Sequence, residues 1–260
     1  MTTPFQFERD LIVSLGILAR THTKFDPALK HAGGVVHAGG FNVHAFVVDH
    51  RDGEVVAAEF NQIFAEEDPL QHAEQRAIRS AYRRLKDKRP RAPGVTVEQY
   101  YKTQCFMEPG VKDEDFIQGG CSLYNTFDPC GLCATTLLAC YMKRIAYLFA
   151  DHKFSDVYDA MKRDYFRGRD SIKQPVTTRL EAHGLQLSAV KLIEDLKSKV
   201  DELEKAGTPL VMTLDQCPKE LAEAAALLGA WDESACVTTG DELLRNRRTL
   251  RDVRRIALGI

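Results

Sequence analysis

Residues 72–74 read His-Ala-Glu and residues 129–133 read Pro-Cys-Gly-Leu-Cys. Between them they supply one imidazole and two thiols, the residue types that bind zinc. Three ligands, His72, Cys130 and Cys133, leave a fourth position open for water, as a catalytic rather than a structural zinc site requires. Glu74 stands two residues from a ligand and is not one itself. A carboxylate there is placed to move that water's protons. Cys130 and Cys133 are three apart, so in a helix's first turn they share a face. Pro129 suits the entry of such a helix. The free N–H groups and the dipole at that end favour thiolate over thiol. A structural zinc would want a fourth protein ligand, for which Cys140 and His152 are the candidates.

Moving outward from these motifs, the pattern alternates strand and helix. Asn42–Val48 alternates as a strand, Asp52-Gly53 marks a hairpin turn, and Glu54–Phe60 returns as a second strand. Residues 61–70 form a loop with Asp68-Pro69 in it, and Gln71–Leu85 has helical spacing, which puts His72 and Glu74 in a helix's first turn. Residues 86–118 break the pattern and read as an insertion, with one short helix around Val97–Thr103. Cys121–Thr126 reads as a strand, Gly131–Tyr141 as a helix and Arg144–Ala150 as a strand. This order describes an α/β sandwich. Upstream, residues 6–20 carry an amphipathic helix and residues 32–40 are glycine-rich.

Beyond Asp151 the chain turns mainly helical. Leu187–Ala206 is apolar at spacings of three and four and stops at Gly207 and Pro209. Pro218–Leu228 begins with a first-turn proline, and a last helix spans Asp241–Leu258. We therefore divide the chain into residues 1–155, carrying the zinc motifs, and residues 156–260, a helical extension.

Composition limits the partners. The formal net charge of -2 gives no global field for nucleic acid, although Arg83–Arg91 and the arginines at 245, 247, 248, 251, 254 and 255 form local basic clusters. The plain reading of those clusters is a solvated, salt-bridged helix face. No apolar run approaches the ~20 residues of a membrane span. The first residues, MTTPFQFERD, do not read as a secretory signal. Seven cysteines, odd in number and irregularly spaced, point to a reducing cytoplasm rather than a disulfide framework.

H-x-E followed by P-C-x-x-C resembles the cytidine deaminase-like superfamily. Asn61 followed by DPLQHAE resembles the N…DPxxHAE of the branch that holds tRNA adenosine deaminases and bacterial guanine deaminases. LYNTFDPCGLCA, residues 123–134, resembles that branch's LYxTxEPCxMCA, and Asp151 with Lys153 resembles a D-x-K pair bordering the substrate. The likeness covers roughly residues 36–155. It departs at Asp128, where the branch commonly has Glu, at Leu132, where it has Met, and in the longer interval made by residues 86–118.

The resemblance implies a three-layer α-β-α sandwich with a central mixed sheet, here with extra C-terminal helices. It implies Zn2+ as cofactor, His72, Cys130 and Cys133 as its ligands, and Glu74 as the catalytic acid and base. Asn61 would bind the base through its side chain, Ala73 through its backbone amide, and Asp151 would touch a ribose or base edge. The activity it implies is hydrolytic deamination of a nucleobase or nucleoside, purine by branch, in a homodimer. Adenosine in tRNA is the alternative substrate. A zinc-bearing binding module without catalysis is the third reading, and Glu74 argues against it.

Overall fold

The computed structural model describes residues 4–24, 30, 31, 34, 35, 40–100, 106, 120–140, 142, 144–151, 172–175, 185–236 and 238–260. In chain order these form helix α1 (Pro4–Lys24), a two-residue ribbon of β1 (Lys30–His31) and β2 (Gly34–Val35), strands β3 (His44–Asp49) and β4 (Glu54–Phe60), helix α2 (Ala73–Lys88) and the single turn α3 (Val97–Tyr100). There follow β5 (Cys121–Phe127), α4 (Gly131–Ala139), β6 (Arg144–Phe149), β7 (Ile172–Pro175), α5 (Leu185–Lys205), α6 (Pro218–Ala230) and α7 (Gly240–Leu258).

Five strands make one mixed sheet in the order β4-β3-β5-β6-β7. β3 is antiparallel to both β4 and β5, whereas β5, β6 and β7 run parallel. The β3–β4 hairpin turns at Asp52-Gly53 as the sequence predicts. Gly53 has a φ of +75°, and a Cβ there would collide with the backbone of Arg245 in α7. Glycine thus serves both the turn and the close approach of a distant helix.

Alternate residues of each strand face opposite layers. Ala45, Val47 and Asn125 look toward α2, which packs on β3 and β4. Tyr124 and Arg144 look the other way, toward α1. The layer over that second face is built mostly from the C-terminal helices, since α1 packs chiefly on α6 and α7. Leu11, Leu15 and Leu18 of α1, Leu123 of β5, and Leu221, Leu250 and Val253 of α6 and α7 belong to one buried cluster.

Buried polar contacts lock this layer in place. Asp10 takes Arg144 Nη2 at 2.6 Å and the Tyr124 hydroxyl at 2.8 Å. Arg9 reaches Asn246 at 2.9 Å, His50 at 2.7 Å and Glu242 at 3.0 Å. Removing one partner of such a buried pair strands a charge, at about 3–5 kcal/mol.

Several boundaries differ from the sequence reading. α1 is longer than residues 6–20 at both ends. α2 begins at Ala73, so His72 is its N-cap, with an extended φ of -65° and ψ of 146°, rather than a first-turn residue. α4 begins at Gly131, so Cys130 precedes the helix and Cys133 lies inside it. Strand β7 was not foreseen: Ile-Lys-Gln-Pro is short, polar and proline-ended, as an edge strand can be. Helix α3 falls inside the expected insertion; residues 101–105, 107–119 and 152–171, with His152 and Lys153, lie outside the described residues.

Candidate active site

The site lies where β5 and β6 end at their carboxyl termini, beside the start of α2. In parallel sheets this edge is where ligands gather. Asp128 follows β5 directly, and its amide donates to the Phe149 carbonyl at 2.9 Å, so the turn into Pro129-Cys130 is tied to the end of β6.

A short loop delivers His72 to the same edge. Asp68 accepts from the Leu70 amide at 2.9 Å and from the Gln71 side chain at 2.7 Å. Gln71 in turn closes the loop by accepting at its carbonyl from the Gln62 amide at 3.0 Å. The imidazole of His72 also hydrogen-bonds the Pro69 carbonyl, the kind of outer contact that fixes the ring of a metal-binding histidine. Gln75 of α2 donates to Thr136 of α4 at 2.6 Å, holding the two helix starts together.

His72 Nδ1 lies 3.7 Å from Cys130 Sγ and 3.5 Å from Cys133 Sγ, and the three ligand atoms all fall within 4.8 Å of one another. Zinc with bonds of about 2.3 Å to sulfur and about 2.0–2.1 Å to nitrogen, at tetrahedral angles, sets its ligand atoms roughly 3.5–3.8 Å apart. The donor set and its spacing therefore fit zinc. Cys140 does not join this cluster among the described residues.

The electrostatics also suit a cation. A hydrogen bond from Cys133, reinforced by His72, holds the Cys130 thiol down at about 4, while that same pairing and burial push Cys133 up. One sulfur of the pair is thus poised as thiolate. The hydrogen bond to Cys130 raises His72. Glu74 is buried in the first turn of α2, and burial pushes its carboxyl up, as suits a group that must hold a proton for part of a cycle. Asn125 Nδ2 donates to Glu74 Oε1 at 2.8 Å.

A cavity of about 460 Å3 opens on this cluster, lined by Phe41, Val43, Asn61, His72, Glu74, Asp128, Cys130, Gly131, Leu132, Asp151 and Val211. The sequence-derived candidates Asn61 and Asp151 therefore meet the metal cluster, across 90 residues of chain. Asn61 is buried, and its Oδ1 accepts from the Ile63 amide at 3.2 Å. Gly40 backs onto Asn61, and a Cβ there would collide with the Asn61 side chain and carbonyl. Ala73 is buried at the first position of α2 and its side chain does not line the cavity. Several contributors escaped the sequence reading, among them Phe41 and Val43 of the cavity wall, and Asn125 and Val211. Asn125 carries no motif, and Val211 lies in a 3-10 turn, Leu210–Met212, that interrupts the helical pattern.

The sequence profile of the family described as the cytidine and deoxycytidylate deaminase zinc-binding region matches residues 21–149. Residues 21–149 therefore carry the sequence pattern of this family's zinc-binding region. Zinc is accordingly its metal, and the matched span contains His72, Glu74, Cys130 and Cys133. A tRNA-specific adenosine deaminase of Aquifex aeolicus (strain VF5) is 27% identical to this chain over 130 residues, 50% of this chain and 66% of that protein. The chain thus spans just under two thirds of that relative's length. Among solved structures, one from studies of A-to-I editing by tRNA:A34 deaminases is 23% identical, covers 52% of this chain and 80% of its own, and has a TM-score of 0.33. A guanine deaminase from Nitrosomonas europaea is 14% identical, covers 75% of this chain and 85% of its own, and has a TM-score of 0.37.

Proposed function

We propose that this protein is a zinc-dependent hydrolytic deaminase of a free nucleobase or nucleoside, purine favoured. Water replaces an exocyclic amine, and ammonia leaves. The observation that carries this reading is the shared cavity: the metal cluster, the buried Glu74 and the amide of Asn61 all border one volume.

His72, Cys130 and Cys133 hold the metal. When bound, zinc supplies a Lewis acid that makes water acidic enough to lose a proton near neutral pH. Glu74 takes that proton and delivers it to the ring nitrogen, then carries the second proton of the added water to the departing amine. Asn61 donates its NH2 group to an acceptor on the base, and the backbone amide of Ala73 holds the base beside the metal. Asp151 contacts a base edge or ribose hydroxyl. Phe41, Val43 and Val211 give the flat ring apolar walls and exclude water from it. The purine preference rests on the Asn61…His72-Ala73-Glu74 interval, which resembles the purine-acting branch.

The basic clusters favour a small substrate over RNA. Arg84 pairs with Glu54 at 2.5 Å and Arg89 with Asp49 at 2.5 Å. Arg248 pairs with Asp52 and Glu54, Arg251 with Glu233, and Arg245 with Glu242. Cations already neutralised in this way contribute little to phosphate binding. The likeness to the Aquifex tRNA-specific adenosine deaminase supports tRNA adenosine as the second reading. A non-catalytic zinc module has no use for a buried, hydrogen-bonded Glu74 over the metal cluster.

The reading carries a cytoplasmic location, which the six free cysteines among the described residues suit. It also carries a homodimer: Leu70 and Leu132 flank the site 52% and 45% exposed, apolar surface that a second subunit would cover. Residues 1–155 are the deaminase segment and residues 156–260 its helical extension. No helix among the described residues is long and apolar enough to cross a membrane.

Ammonia release from purine and pyrimidine bases, nucleosides and pterins, with transcribed tRNA assayed beside them at several salt concentrations, tests the proposal. Release from a free base or nucleoside, abolished in Glu74→Gln, is the expected result. Activity on tRNA alone, falling steeply with salt, would replace it with the second reading.

A further inference from the structure

We infer that Asn125 is a positioning residue that makes Glu74 a one-sided proton carrier; this rests on the role of Glu74 proposed above. Asn125 sits on β5 facing α2, 1% exposed. Its Nδ2 donates to Glu74 Oε1 at 2.8 Å and to the Phe127 carbonyl at 2.6 Å. Both partners are acceptors, so the group between them must be the NH2 end of the amide, and both of its hydrogens are used. The opposite atom, Asn125 Oδ1, is buried and has no hydrogen-bond partner among the described residues. A buried acceptor left unmade is costly, and an apolar side chain would serve a strand interior better. The amide is therefore explained by what its donor end does.

That donor cannot accept a proton. It stabilises negative charge on Glu74 Oε1, which makes Oε2 the more basic oxygen and directs proton exchange to it. The proton removed from water forms an O–H bond at Oε2 and is passed from that atom to the substrate, returning Glu74 to carboxylate with no other reactant consumed. The same contact fixes the plane of the carboxylate. A carboxylate free to rotate would spend part of its time with neither oxygen aligned.

The test is a double-mutant cycle in the full zinc-loaded chain, with Asn125→Val and Glu74→Gln. Asn125→Val is expected to lower kcat by roughly ten- to a hundredfold, part of the ~10²–10⁴ that acid–base catalysis contributes. KM should move less than about threefold and zinc content should not change, since uniform binding is untouched. In the Glu74→Gln background the same change should cost less than about twofold, because its effect runs through the carboxylate. Equal losses in both backgrounds, or a KM rise at constant kcat, would overturn the inference while leaving the deaminase reading intact. Ammonia release undiminished in Glu74→Gln alone would overturn both. If the valine variant does not fold, Asn125→Leu, closer to asparagine in shape, takes its place with the same outcomes.

Discussion

Asn42 Nδ2 donates to Asp215 Oδ1 across 2.7 Å, joining two segments 173 residues apart. Asn42 lies between Phe41 and Val43, which line one part of the cavity; Asp215 follows the turn that brings Val211 to the same cavity. Leu210, Thr213 and Leu214 of that turn are buried, so it is anchored from beneath as well. The C-terminal extension therefore supplies a wall of the site as well as covering the far face of the sheet. Val211→Phe should raise KM about tenfold or more for the preferred substrate, the scale that small volume changes in apolar pockets produce. Zinc content should stay at the wild-type level. Steady-state kinetics beside metal analysis checks this; an unchanged KM across the substrate panel would remove Val211 from the pocket wall.

Metal removal gives the second prediction. Chelation, or Cys133→Ser, should abolish zinc binding and ammonia release together, since Lewis-acid assistance supplies several kcal/mol of barrier lowering. Zinc added back should rescue the chelated protein and not the variant. Asp68→Ala frees the loop whose Pro69 carbonyl holds His72. It should weaken zinc binding by about 10–100-fold, as loss of outer contacts does. Competition against a chromogenic chelator reads both effects.

Gly40 is predicted to be sensitive despite bearing no side chain. Gly40→Ala would push Asn61 out of place through its side chain and its carbonyl. Misplacement by about 1 Å can cost on the order of a hundredfold in rate. The loss should appear in kcat/KM, with zinc content constant. Retained kcat/KM would show that Asn61 does not touch substrate.

Acid should loosen the layer that carries α1. His50 is fully buried, with Nδ1 against Arg9 at 2.7 Å and Nε2 against Ser122 Oγ at 2.6 Å. Arginine only donates, so Nδ1 accepts and Nε2–H donates to Ser122. Burial first, then Arg9, Arg144, Arg51 and Arg245, hold the imidazole well below the ordinary histidine value of about 6.5. The unfolded chain therefore binds a proton that the folded protein refuses. Stability is fully present above about 6.5 and is lost as pH falls below it toward the folded value. Thermal melting followed from pH 8 to 5 should show the decline. His50→Gln should flatten it, and an equal slope in that variant would assign the acid sensitivity to other groups.

Much of the site was legible because its parts are local. His72, Glu74, Cys130 and Cys133 sit at intervals that helix starts convert into one cluster, and Asn61 is fixed by the length of a short loop. The β3–β4 hairpin followed from Asp52-Gly53, α5 from its apolar spacing and stop signals, and α6 from its first-turn proline. Less legible were elements with weak local signal. β7 is four residues long and ends in proline, and it is a strand because β6 offers it an edge. His72 was placed one position inside the helix because periodicity does not mark an N-cap whose side chain turns to other partners.

Taken alone, the sequence pointed to a His-Cys-Cys donor set with a carboxylate beside it and to most of the order of strands and helices, because spacing and side-chain chemistry are written along the chain. Only the tertiary structure decided which distant side chains meet. It placed Asn125 against Glu74, Val211 in the cavity that borders the metal cluster, and acidic partners beside arginines of both basic clusters. Such contacts join residues far apart in the chain through packing of whole layers, as when Thr249 of α7 donates to the Gly53 carbonyl at 2.6 Å, 196 residues away. No local period or motif records them.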